Sequence, residues 1–261
     1  MTNLIEIPDI ELPPTDLIYD DGEPMESNRH RIAMNALIIG VEQAYSHRND
    51  FFAGGNMFIY YSTKQVKNKD FKGPDFFVVL DVENTDISRQ AWVVWNENGR
   101  YPDVIIELMS PSTAKIDKTE KKELYQKVFK TREYFVFDPF DPNSLQGWRL
   151  NGLTYQEIET DENGWLFCET LDLWLGKWEG IILREKATWL RFYDLNKNLV
   201  LLPEEVARQQ TLIAQEQAQI AQEQAQIAQE QAQIAQEQAK KAEILAARLR
   251  ELGENPDELL Q

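Results

Sequence analysis

Three short apolar runs set the terms on which this chain can fold. Residues 76–80, 104–109 and 134–137 are strand-length, and turn-forming residues bound them: Gly73-Pro74 before the first, Pro102 before the second, Asp138-Pro139 after the third. Runs of this length that are apolar on successive residues read as buried strands rather than as helices. The second carries Glu107, a carboxylate inside an otherwise apolar strand, and Ser110-Pro111-Ser112-Thr113 ends it.

Helices are expected on either side of these strands in the chain. Ser27 is a fitting N-cap for a helix to about Tyr45, whose Met34, Leu37, Ile38, Val41 and Tyr45 recur at three- and four-residue spacing and predict a helix that covers a sheet. A second helix is expected over 117–130, with Leu124, Tyr125, Val128 and Phe129 as its buried stripe. Residues 57–62 and 75–82 read as adjacent strands, and 91–95 as a further run between turn-like stretches. From 146 to 203, short runs separated by Asn-Gly and similar pairs predict β-hairpins. Pro8, Pro13, Pro14 and Pro24, with acids between them, make 1–26 an extended acidic arm.

At Pro203 the composition changes. The unit QAQIAQE repeats every seven residues and aligns Ile213, Ile220, Ile227 and Ile234, which predicts one long helix over 203–261. Ile at one seam position leaves Gln217, Gln224 and Gln231 at the other, and the eleven residues from Ile234 to Leu245 are read as a register shift before Leu245, Leu249 and Leu252. Self-association as a coiled coil and a solvated single helix both remain open. The expected organisation is thus an arm (1–26), an α/β domain (27–202) and a Gln/Ala-rich tail (203–261).

Composition narrows the chemistry. A 43% hydrophobic and 11% aromatic content across 261 residues is enough for a substantial core. One cysteine, Cys168, and two histidines disfavour a disulfide framework or a zinc site and leave carboxylate chemistry. No apolar run is long enough to span a bilayer and nothing near Met1 resembles a signal peptide, so a soluble cytoplasmic protein is expected. The net charge of −17 opposes indiscriminate binding to nucleic acid. It is uneven, however. Residues 1–29 hold 8 acids and 1 base, 204–261 hold 11 and 5, and 30–203 hold 25 and 21, so the nearly balanced middle can still carry a local anion site among its lysines.

The candidate site lies there. Strand alternation puts Asp103, Ile105, Glu107 and Met109 on one face, and a charge at Glu107 calls for a cation beside it. Asp75, at the start of a neighbouring strand, can supply a second carboxylate. Lys121 lies three, four and seven residues before Leu124, Tyr125 and Val128 and so points inward; Lys118 can share that direction. Two carboxylates and a lysine suit a hard divalent ion that keeps waters and a phosphate in place while the lysine orients or deprotonates the attacking water.

The segments GPDFFVV, PDVIIELMSPST, DKTEKKELY and EYFVFDP, with HRIAMNALI and FFAGGNMF, resemble the Uma-type restriction endonuclease family, abundant in cyanobacteria, over roughly residues 20–200. That family belongs to the PD-(D/E)XK superfamily. The resemblance implies a restriction-endonuclease-like mixed central sheet flanked by helices, with C-terminal hairpins and the long helix added. It further implies Mg2+ or Mn2+ as cofactor and DNA as substrate. By it Asp75 and Glu107 match the metal-binding acids, Lys121 the catalytic lysine, and Glu42 is a candidate third acid from the first helix. Met109 stands where the E-x-K motif expects lysine, so the lysine comes from the following helix.

Three plainer readings stand beside these. Glu107 and Lys121 can form a purely structural ion pair, His30 fits a structural role at the helix start, and the tryptophans from Trp148 onward fit the core. An inactive nuclease-fold interaction protein, oligomerised through the tail, is the functional alternative.

Overall fold

The computed structural model describes residues 13–15, 17–19, 27–68, 72–83 and 86–253; the expected arm at 1–26 falls largely outside them. The chain divides into two compact units at Leu202/Pro203.

In the first unit the order is α1 (Asn28–Ala44), β1 (Phe51–Gly54), β2 (Ile59–Tyr60), α2 (Thr63–Asn68), β3 (Phe76–Leu80), β4 (Trp92–Val93) and β5 (Val104–Leu108). A helix, α3, follows as four consecutive segments from Ala114–Ile116 to Tyr125–Phe129. Then come β6 (Glu133–Asp138), β7 (Asp141–Asn151), β8 (Thr154–Glu157), β9 (Leu166–Cys168), β10 (Leu173–Ile182) and β11 (Glu185–Tyr193). The central sheet runs β1-β3-β5-β6-β7-β8. It is mixed: β5 and β6 are parallel, joined through α3, and the other pairs are antiparallel. The expected α/β architecture with a covered mixed sheet and added C-terminal hairpins is what the chain adopts.

The three apolar runs occupy its middle, and every residue of β3 and β5 is buried. Alternation sorts them onto two faces. Phe76, Val78, Val104, Ile106, Leu108, Phe135 and Phe137 pack with Leu37 and Val41 of α1 and with Trp189 and Phe192 of the β9-β10-β11 sheet. Phe77, Val79, Ile105, Tyr134 and Val136 pack with Tyr125 and Phe129 of α3 on the other. A second buried acid, Glu133, lies at the start of β6; Arg149, the backbone N–H groups of Glu169 and Thr170, and the Cys168 thiol all donate to it.

Some expected features differ. The run at 57–62 contributes only β2, which pairs in parallel with β4; the neighbour of β3 on that side is β1. Val128 is 44% exposed rather than buried. Its displacement follows from the helix itself, since Asp117–Lys121 and Tyr125–Phe129 are π-helical. In a regular α-helix a four-residue row drifts about 40° per step. The wider i→i+5 turns offset that drift. The buried row is therefore Asp117, Tyr125 and Phe129, with partly buried Lys121 in line at the same four-residue spacing.

The second unit is α4, Pro203–Glu251, a helix of 49 residues. Among the described residues no helix is long and apolar enough to cross a membrane.

Candidate active site

Antiparallel pairing of Phe76 with Ile106 and Phe77 with Ile105 carries Asp75 opposite Glu107 by one further step of the register. Both side chains belong to the face under α3. Leu108 N–H donates to Asp75 Oδ2 at 2.7 Å, and Asp75 N–H donates to Glu107 Oε2 at 3.3 Å. Backbone groups of each strand thus hold the carboxylate of the other.

The turn after β5 brings α3 back over this pair. Ser110 N–H donates to Thr113 Oγ1, Thr113 N–H to Ser110 Oγ, and Ala114 N–H to the Ser110 carbonyl. Such reciprocal bonds close a helix start. Lys121 then reaches down: its Nζ lies 3.1 Å from Glu107 Oε2 and 2.8 Å from Asp117 Oδ1. Tyr125 one turn on donates its hydroxyl to Glu107 Oε1 at 2.7 Å, and Tyr134 donates to the Asp117 carbonyl at 2.8 Å. Glu107 is fully buried and Asp117 nearly so, while the Lys121 side chain keeps 25% of its exposure and marks the side open to water.

The electrostatics are those of crowded acids around one cation. Burial, then the charge of Glu107, pushes the Asp75 carboxyl well above its ordinary range, and the same two causes raise Asp117. For Lys121, burial alone would lower the ammonium, but Glu107 and Asp117 outweigh it and hold the pKa above the usual lysine value. Burial and the neighbouring Glu107 also raise the Tyr125 phenol far above its normal range, so it stays a hydrogen-bond donor.

Asp75, Glu107 and Lys121 are therefore brought together. Glu42 is not. It lies exposed near the end of α1, a helix that packs on the opposite face of the sheet from Glu107, against Val104, Ile106 and Leu108. The end of α1 beside the site is the other one, where His30 Nε2–H donates to the Met109 carbonyl at 3.2 Å. Glu42 is twelve residues further along, about 18 Å at helical rise. Lys118 is likewise exposed and does not share the inward direction of Lys121.

One participant, Asp117, escapes a reading built on strand acids, whereas His30 has the structural role expected at the helix start. Asp117 reads as a helix-start residue, and its signal is the four-residue spacing to Lys121. His30 is buried, accepts from Ser27 Oγ at 2.8 Å through Nδ1 in the tautomer that donates to Met109, and ties the start of α1 to the end of β5.

The donor set fits a hard divalent ion. Asp75 and Glu107 offer carboxylate oxygens side by side, their mutual repulsion is what an added cation relieves, and magnesium commonly takes one or two carboxylates with waters completing its shell. Among the described residues no group of three or more His, Cys, Asp or Glu side chains is placed to hold a metal ion.

A family model, Uma2, described as "Putative restriction endonuclease", matches residues 5–176. The chain belongs to that family. Among solved structures it is similar to the crystal structure of a putative nuclease belonging to DUF820 from Anabaena variabilis ATCC 29413, with 16% identity, a TM-score of 0.41, and coverage of 61% of this chain and 86% of that one. No curated protein matches the sequence.

Proposed function

We propose that the chain is a divalent-metal-dependent endonuclease that hydrolyses phosphodiester bonds of DNA. The observation that carries this reading is the meeting of Asp75, Glu107 and Lys121 from two strands and a helix. Membership of a restriction endonuclease family supports it.

In this reading Asp75 and Glu107 hold Mg2+ or Mn2+, which when bound supplies charge neutralisation at the phosphate and a more acidic water. Lys121, kept protonated by Glu107 and Asp117, donates to the attacking water or a phosphate oxygen and offsets the negative charge that develops there. That assigns it orientation and charge stabilisation rather than proton removal. Tyr125 fixes Glu107 Oε1, so that Oε2 faces Lys121. Exposed Lys115 and Lys118 flank this part of α3 and suit contacts to neighbouring phosphates. Placement in the cytoplasm, with the cell's DNA, belongs to the same reading.

Purified protein incubated with supercoiled plasmid and Mg2+ or Mn2+ is expected to nick it, with Glu107→Gln and Lys121→Ala each losing at least 100-fold, on the order of one transition-state contact. Equal nicking by wild type and both variants would refute the assignment. Calorimetric titration with Mn2+ separates ligation from catalysis: Asp75→Ala and Glu107→Ala should abolish binding, whereas Lys121→Ala should not.

A further inference from the structure

We propose that α4 pairs in parallel with α4 of a second copy of this chain, with Ile213, Ile220, Ile227 and Ile234 at the d positions of a heptad seam. These four side chains are 46–55% exposed in the single chain and recur every seven residues along the 49-residue helix. A strict seven-residue apolar repeat keeps its stripe facing a partner over many turns.

Charge decides which seam position the isoleucines take. At a, they would put Glu216, Glu223 and Glu230 at d, inside the seam. At d, they put Gln217, Gln224, Gln231 and Gln238 at a, and Leu245 and Leu252 follow at a in the same count. The eleven residues from Ile234 to Leu245 are thus a d-to-a step plus one heptad. Carried on unbroken, the count also puts Lys241 and Arg248 at d, whereas the shift read from the sequence brings Leu245, Leu249 and Leu252 to d, a and d. Leu245 and Leu252, 65% and 73% exposed, become seam residues.

Charge also decides orientation. With Ile at d, Glu216, Glu223, Glu230 and Glu237 occupy g, Ala214, Ala221, Ala228 and Ala235 occupy e, and no Lys or Arg occurs from 209 to 239. Antiparallel helices set g against g, bringing two rows of glutamate together. Parallel helices set g against e, so each glutamate meets an alanine. Because the repeat units are identical, a slip of one heptad costs little within them. Leu245 and Leu252 favour the aligned register, since a slip faces Leu245 with Gln238.

The test uses the full chain. Light scattering at micromolar concentration should give the mass of at least two copies, and the variant carrying Ile→Gln at 213, 220, 227 and 234 should be monomeric. Single variants Gln217→Cys and Gln231→Cys test orientation independently of helix stability, since Cys168 is buried. Under oxidation each should cross-link to itself. A monomeric wild type, cross-links that form only when the two variants are mixed, or no cross-link in either would overturn the proposal.

Discussion

Lys121 reaches Glu107 from the helix, 3.1 Å from Oε2, and so brings to this carboxylate a cation that its own strand does not carry. Glu107 is fully buried, and an uncompensated buried carboxylate is costly. Lys121→Ala is therefore expected to destabilise the metal-free protein by about 1.5–3 kcal/mol, the range for a hydrogen bond to a charged group. Urea titration in EDTA checks this. Adding millimolar Mg2+ should recover part of the loss, because a bound cation takes over the compensation of Glu107; no recovery would argue against ligation at this carboxylate.

Tyr125 holds the other oxygen of the same carboxylate, at 2.7 Å. Tyr125→Phe keeps the ring packed between Phe129 and Tyr134 and removes only the hydroxyl. A stability loss of about 1–2 kcal/mol is expected for that bond. Nicking should fall through the rate constant more than through KM, because the variant frees Glu107 to rotate without altering contacts to substrate. A KM effect alone would place Tyr125 in binding.

The raised carboxyls of Asp75 and Asp117 run opposite to the acid dependence of an ion-paired carboxylate whose pKa is lowered. A carboxyl whose folded pKa exceeds its unfolded value, about 3.8, binds more protons folded than unfolded between the two. Its contribution is fully favourable below the unfolded pKa and is lost as pH rises through the folded one. In EDTA, Asp75→Asn should therefore gain stability over wild type at neutral pH and lose that advantage on acidification. Cation binding must displace these protons, so Mn2+ affinity should weaken as pH falls. Paired melts in EDTA and Mn2+, from neutral pH down to the acid limit of folding, test both signs.

Much of this was legible in the sequence because the signals are local. β3, β5 and β6 are continuous apolar runs bounded by turns, and Ser27 caps α1, accepting from His30 N–H. That Asp75 begins a strand beside Glu107 was legible, while their pairing opposite each other rests on the register of β3 against β5. What was hidden depends on tertiary placement or on helix winding. The exposure of Val128 comes from π turns, which spacing rules tuned to 3.6 residues do not anticipate. Glu42 lies apart from Asp75 and Glu107 because α1 covers the other face of the sheet, a fact that no property of α1 reveals. β2 joins β4 because Phe58 and Tyr60 carbonyls accept from Trp92 and Val94 N–H, a long-range choice between short runs of similar β propensity.

Outside the site, Asp161 provides a titration of the opposite sign. Its carboxylate accepts from Lys197 Nζ at 2.6 Å and from Trp165 and Asn163 N–H, both at 2.9 Å. It thereby joins the loop before β9 to the turn after β11. Burial alone would raise this carboxyl, but the bonds from Lys197, Trp165 and Asn163 prevail and bring it down to about 2. A depressed folded pKa contributes stability that is fully present above the unfolded value and lost as pH falls through the folded one. Asp161→Asn should therefore cost on the order of 1 kcal/mol at neutral pH, discounted for the exposure of Lys197. The difference from wild type should shrink below about pH 4, where the unfolded-state carboxyl titrates. Urea melts of both proteins between neutrality and the acid limit of folding measure it directly; a gap that widens on acidification would show that the clamp acts through something other than the carboxylate's charge.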